Sequence, residues 1–167
     1  RDAVPGPDHL TAMGKIPQLV LLDRDGVINE DRPDYVKNPD ELIMINGSAE
    51  AIARLNGAGR RVVVVTNQSA VGRDLIDEDM LERIHEKLRA AIARAGGHID
   101  RIIWCPDPPW AATQRRKPRP GMLLEALNAE GATAADTPMI GDSLRDLEAA
   151  FAAGCPRILV QTGKGAE

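Results

Sequence analysis

Aromatic side chains are almost missing from this sequence: its 167 residues hold two Trp, one Tyr and one Phe, 2% in all. Platforms for stacking single-stranded nucleic acid have little to be built from. Cysteine is nearly as scarce. Cys105 and Cys155 alone supply neither a disulfide framework nor, by themselves, a tetrahedral zinc site; both are expected as small, buried, reduced thiols of a cytosolic protein. Positive charge is short as well. The net charge of −4 argues against general binding to a nucleic-acid backbone, while leaving room for one local basic pocket. The longest apolar runs, residues 16–22 (broken by Pro17 and Gln18) and 62–65, are far too short to cross a bilayer. The beginning of the chain carries no charged-then-apolar signal pattern. Residues 1–16, with Pro5, Gly6 and Pro7, are expected as a tail, a tag remnant or a cut linker ahead of a single domain over residues 17–167.

What the sequence does have is the balance of a soluble globular protein, 43% apolar and 28% charged, with length enough to bury a core. Leu19–Leu22 is a continuous apolar run, as expected of a parallel strand covered on both faces. The spacing of Ala49, Ile52, Ala53 and Leu55 predicts a helix from about Ser48 to Gly57 or Gly59. Residues 61–65 form a β-branched strand. Asp77 is placed to cap a long helix carrying Met80, Leu81, Ile84, Leu88 and Ile92, stopped by Gly96 and Gly97. A third strand over 101–104 leads into a Pro-rich loop, 106–120, and a helix over 122–128. A short strand at 138–140, a helix over 144–153 closed by Gly154 and a final strand at 157–160 complete the pattern. Strands alternating with helices predict an α/β fold with a mainly parallel sheet, whose chemistry collects beyond the carboxyl ends of its strands.

Those ends read Asp23-Arg24-Asp25-Gly26, then Thr66-Asn67-Gln68-Ser69, then Arg115-Arg116-Lys117-Pro118 in the loop after the third strand, and Gly141-Asp142-Ser143 with Asp146 one helical turn on. Clustered carboxylates repel unless a cation sits among them, and hard oxygen ligands suit Mg2+. A lysine, a hydroxyl and free backbone amides beside such an ion make a cradle for a phosphoryl group. One Asp can attack phosphorus, splitting hydrolysis into two easier steps, and a second can carry the proton.

In this order the motifs Asp23-x-Asp25-Gly-x-x-Asn29, Thr66-Asn67, Lys117 and Gly141-Asp142-x-x-x-Asp146 resemble those of the haloacid dehalogenase (HAD) superfamily of phosphatases. More narrowly, LLDRDGVIN, VVTNQS, RRKPRPGM and IGDSLRDLEAA are similar to the D-glycero-D-manno-heptose 1,7-bisphosphate phosphatase branch, whose relatives include histidinol-phosphate phosphatases. The resemblance implies a Rossmann-like three-layer fold with little or no cap domain. It implies Asp23 as nucleophile, Asp25 as general acid/base, and Mg2+ held by Asp23, the Asp25 carbonyl and Asp142. It also implies that Thr66, Asn67 and Lys117 bind the transferred phosphoryl group, that Asp146 supports Lys117 or the metal shell, and that Arg116 reads the rest of the substrate. Loops 29–38 and 106–116 would shape the entrance. Members of this branch usually carry a Cys-x-His…Cys-x-Cys zinc loop before the lysine. Here that stretch has one cysteine and no histidine, so zinc is not expected.

The reading that follows is a Mg2+-dependent phosphatase of a small phosphorylated metabolite, first the C7 phosphate of heptose 1,7-bisphosphate, in the bacterial cytoplasm, a monomer without nucleic-acid or membrane partners. Histidinol phosphate or another metabolite remains open as substrate. From another class, a non-catalytic phosphosugar-binding module or a phospho-signalling receiver remains; in receivers, however, the phosphorylated Asp follows the third strand rather than the first. His85 and His98 read as structural or solvent-facing, Arg115 and Arg119 as surface charges, and residues 161–165 as a plain turn.

Overall fold

The computed structural model describes residues 17–167; the expected tail, residues 1–16, lies outside the described residues. A parallel sheet is formed by β1 (Leu19–Leu22), β2 (Arg61–Asn67), β3 (Arg101–Cys105), β4 (Met139–Gly141) and β5 (Arg157–Leu159), in the order β3-β2-β1-β4-β5. Among the described residues five α-helices connect or flank the strands: α1 (Ser48–Gly57), α2 (Ser69–Gly72), α3 (Glu78–Arg94), α4 (Gly121–Glu130) and α5 (Leu144–Ala153).

Alternation along the strands divides the core in two. Leu19, Leu21, Val63 and Val65 point to one face, where Met122, Leu123, Ala126 and Leu127 of α4 and Ala149, Ala150 and Ala153 of α5 pack on them. Val20, Leu22, Val62 and Val64 point to the other, against Ile52 of α1 and Ile84, Leu88 and Ile92 of α3. Side chains two apart share a face of a strand, so a strand buried on both sides must be apolar at every position. That is why β1 and β2 read as unbroken aliphatic runs, and the three-layer α/β sandwich follows. No helix is long and apolar enough to span a membrane among the described residues.

The expected elements are present with shifted ends. The second strand runs on to Asn67 and the third to Cys105, because Thr66 pairs with Trp104 and Asn67 with Cys105 before either chain turns. The helix expected over 122–128 covers Gly121–Glu130. Asp77 caps α3 through Met80 N, and Gly154 ends α5 at φ 80°, a left-handed conformation that glycine adopts without a Cβ clash. One-turn elements escaped the sequence: α2 and 3-10 turns at Pro39–Glu41, Pro109–Ala111 and Ala134–Asp136. The segment between β1 and α1 holds only the first of these turns as a helical element.

The chain runs from β1 outward through β2 and β3, then returns to the other side of β1 for β4 and β5. The crevice at the carboxyl ends of β1 and β4 is the point where the strand order reverses, the place where open α/β sheets bind ligands.

Candidate active site

Asp23 leaves the end of β1 with its Oδ1 accepting the Arg24 N–H at 2.8 Å and facing Lys117 Nζ at 2.9 Å. Lys117 is buried at 2% exposure. Its ammonium donates to Asp146 Oδ1 at 2.7 Å and to the Val65 carbonyl at 2.9 Å, so three acceptors saturate its three protons. The lysine backbone is held separately: Asn67 Nδ2 donates to the Lys117 carbonyl at 3.0 Å, and Asn67 Oδ1 accepts the Lys117 N–H at 3.1 Å. Asp146 turns its other oxygen to the N-terminus of α5, where Asp142 N, Ser143 N and Ser143 Oγ donate to Oδ2 at 3.1, 3.2 and 3.1 Å. One carboxylate thus fixes the helix end and the lysine together.

Burial sets the protonation in this cluster. It pushes Asp23 up to about 8, with Lys117 pulling the other way and Asp146 and Asp25 adding to the rise. Burial would lower Lys117, but Asp23 and Asp146 outweigh it and hold the ammonium above its ordinary value. For Asp146 burial is likewise outweighed, by Lys117, and the carboxyl sits below the usual range.

Asp25 lies in a different environment two residues on. Arg24 Nη2 and Asn29 Nδ2 donate to its Oδ1, both at 2.9 Å, and Gln68 Nε2 donates to Oδ2 at 2.8 Å. Burial works to raise its pKa, yet Arg24, Asn29 and Gln68 prevail and keep it low. Before any cation or substrate arrives, the two carboxyls of Asp23-Arg24-Asp25 therefore have opposite proton preferences, Asp23 tending to keep a proton and Asp25 to lose one.

Asp142, at the end of β4, completes the cluster. Its Oδ2 accepts the Lys164 N–H at 2.9 Å, and burial, offset in part by that bond, raises its pKa. Residues 161–165 are more than a plain turn: they fold over the site, with Thr162 Oγ1 donating to the Gly26 carbonyl at 2.7 Å. Gly26 and Gly163 both have positive φ, and a Cβ on either would fall 2.0 or 2.2 Å from Asp142 Oδ2. Only bare backbone fits on the two sides of that carboxylate.

One carboxylate oxygen each from Asp23, Asp142 and Asp146 lies within 4.8 Å of the others. Asp146 is fully engaged by Lys117 and the start of α5, whereas Asp23 and Asp142 face each other with a single ammonium among three carboxylates. This all-oxygen, negatively charged set fits a hard divalent cation such as Mg2+.

Around the cluster opens a cleft of about 280 Å3. Of the residues expected in the site, Asp23, Asp25, Asn67, Arg116, Lys117, Asp142 and Asp146 line it. Thr66 does not; it is buried at 1% exposure, with its hydroxyl accepting from Gln68 Nε2 at 3.0 Å. The outer wall is cationic: Arg73, Arg116, Arg145 and Lys164 all reach it. Burial, then the nearby charges of Arg145 and Arg73, push the Arg116 guanidinium below its ordinary value. Asp107 braces loop 106–116, taking Thr113 N and Oγ1 on its carboxylate at 2.8 and 2.5 Å and Arg116 Nη1 on its carbonyl at 2.6 Å. Arg73 lies 4.8 Å from the Trp110 ring and 5.5 Å from that of Tyr35, tying loop 106–116 to the loop after β1. Cys105 and Cys155 are buried free thiols.

A parallel sheet whose switch point carries a carboxylate pair beside a buried lysine, with an acidic cluster that fits a divalent cation, is the arrangement of a phosphoryl-group hydrolase. The HAD-hydrolase-like family matches residues 114–167. The D-glycero-beta-D-manno-heptose-1,7-bisphosphate 7-phosphatases of Bordetella bronchiseptica and Pseudomonas aeruginosa are each 48% identical to the chain, over 89% and 88% of it and 83% of either relative. The solved D,D-heptose 1,7-bisphosphate phosphatase of B. bronchiseptica, complexed with magnesium and phosphate, superposes with a TM-score of 0.87 at 48% identity, covering 89% of this chain and 83% of that one. The chain belongs to the HAD superfamily of phosphatases, in its heptose 1,7-bisphosphate phosphatase branch.

Arg24, Gln68 and Lys164 were missed from sequence. Arg24 stood between two more conspicuous aspartates, Gln68 beside a more conspicuous Thr-Asn pair, and Lys164 in a turn whose docking on Asp142 joins residues 22 apart. Local sequence carries no signal for that contact.

Proposed function

We propose that this protein removes the C7 phosphate of D-glycero-β-D-manno-heptose 1,7-bisphosphate through a phosphorylated Asp23. The observation that carries the reading is the pairing of Asp23 with buried Lys117 while a separate set of donors holds Asp25. One carboxylate is presented to the cleft and its neighbour is kept apart as a proton carrier.

Asp23 and Asp142, with the Asp25 carbonyl, would hold Mg2+, which when bound offsets charge on the phosphoryl oxygens and favours the ionised form of Asp23. An Asp23 oxygen attacks phosphorus as the bond from phosphorus to the sugar oxygen breaks, and protonated Asp25 gives its proton to that oxygen. The approaching phosphate dianion favours the protonated form of Asp25, against the pull of Arg24. In the second half Asp25 takes a proton from water, the water oxygen attacks phosphorus, and the bond to Asp23 breaks. Inorganic phosphate leaves and both carboxyls return to their starting states. Lys117 neutralises charge on the transferred group, Asn67 keeps Lys117 in place, and Asp146 anchors both lysine and helix.

Arg116, joined by Arg73 and Arg145, supplies the positive wall that a second phosphate requires, which favours a bisphosphate over a monophosphate such as histidinol phosphate. The test is phosphate release, with Mg2+ and with EDTA, from both anomers of the heptose bisphosphate, fructose 1,6-bisphosphate and histidinol phosphate. Many turnovers are expected on the β-anomer, and none with EDTA or with Asp23→Asn. Turnover confined to another ester overturns the substrate, and full activity of Asp23→Asn overturns the mechanism.

A further inference from the structure

Arg24 has no exposed surface, which is unusual for an arginine, and its guanidinium meets two different partners. Nη2 and Nε reach Asp25 Oδ1 at 2.9 and 3.3 Å, and Nη1 lies 3.1 Å from Nε2 of His85. A guanidinium can only donate, so His85 Nε2 is the acceptor and its ring proton is on Nδ1. His85 sits on α3 at 1% exposure, next to Ile84 and one turn from Leu88 in the apolar layer. Burial, followed by the charges of Arg24 and Arg89, lowers its pKa to about 3, so it serves as a neutral acceptor throughout the physiological range. A polar ring in an aliphatic layer is costly unless bonded, and this one is spent on turning Arg24.

We infer that His85 is a positioning residue for proton transfer, holding Arg24 so that its guanidinium fixes Oδ1 of Asp25 and with it the way the carboxyl faces the cleft. Arg24 and Asn29 both donate to Oδ1, whereas Gln68 alone of these side chains meets Oδ2. Held at Oδ1 by two donors, one of them charged, and at Oδ2 by Gln68, the carboxyl keeps one orientation toward the cleft. Losing the His85 acceptor frees one end of the guanidinium, and the Asp25 carboxyl is no longer held in one orientation.

The inference rests on Asp25 being the acid of the first step, and the test separates the two. An alkyl phosphate must have its leaving oxygen protonated, whereas p-nitrophenolate departs without a proton. For both esters kcat/KM covers the steps up to leaving-group departure and excludes the later hydrolysis of the phosphorylated aspartate. Asp25→Asn should lower kcat/KM for the heptose bisphosphate far more than for p-nitrophenyl phosphate; equal losses would discard Asp25 as the acid. His85→Leu should reproduce that selectivity more weakly, on the order of 10- to 100-fold for the alkyl ester against less than about 3-fold for the aryl ester. His85→Gln, which keeps an acceptor, should recover most of the loss. If Leu does not fold, His85→Met makes the same comparison with Gln. Selective loss with Asp25→Asn but none, or an equal one on both esters, with His85→Leu or Met overturns the inference, as does a Gln variant no better than Leu or Met.

Discussion

Lys117 meets Asp23, Asp146 and the Val65 carbonyl at once, in a place with little access to water. Lys117→Met should leave the Asp146 carboxylate buried beside Asp23 without its cation, costing about 3–5 kcal/mol of stability, measured by urea unfolding; Mg2+ should restore more stability to this variant than to wild type. A loss below about 1 kcal/mol would mean that the ammonium does not hold the cluster. Arg145→Ala acts farther out. It should raise KM for the bisphosphate at nearly constant kcat and leave a monophosphate ester unaffected, checked by steady-state kinetics on both. Most of the cluster was legible because each residue type has a chemical reason to stand at a strand end. Its supports were not. His85 read as a lone structural or solvent-facing histidine until the fold brought it to Arg24, 61 positions away, and the contact between Gln68 and the Thr66 hydroxyl had no signal in the sequence.

The elements explain why so few residues suffice. β1 delivers Asp23 and Asp25, β4 delivers Asp142, and α5 begins where Asp146 can cap its amides and anchor Lys117 in one step. The turn at 161–165 then closes on Asp142 through two glycines. Gly163→Ala puts a Cβ 2.2 Å from Asp142 Oδ2 and strains a backbone at φ 57°, so it should lift the turn and weaken Mg2+ binding by roughly 10-fold, read by calorimetry. Unchanged affinity would show that the turn does not support the cation site. β1 and α5 were readable to the residue, since an unbroken aliphatic run and a glycine stop leave little choice. α2 was not, because a single turn has no periodicity to detect. The ends of β2 and β3 depend on mutual pairing, which neither strand encodes alone.

For the molecule as a whole, two buried groups tilt stability with pH in opposite directions. His85 has a folded pKa of about 3 against an ordinary 6.5; below 6.5 the unfolded chain takes a proton that the fold refuses, and stability falls by up to ~1.4 kcal/mol per pH unit. Asp23 has a folded pKa of about 8 against 3.8; between those values the fold binds the extra proton, so stability rises as pH falls. With EDTA the two slopes offset between about pH 4 and 6.5, and stability declines from there toward pH 8. With Mg2+ ionising Asp23, stability should instead climb with pH from 4 to 6.5, as thermal melts at fixed ionic strength would reveal. A climb of the same steepness in EDTA would contradict the assignment of Asp23 to the cation site. The central claim concerns one bond in one substrate. A 31P NMR time course of D-glycero-β-D-manno-heptose 1,7-bisphosphate with the protein and Mg2+ should show the C7 resonance replaced by inorganic phosphate while the C1 resonance persists. Loss of the C1 phosphate, or an unchanged spectrum with active Mg2+-loaded protein, would contradict it.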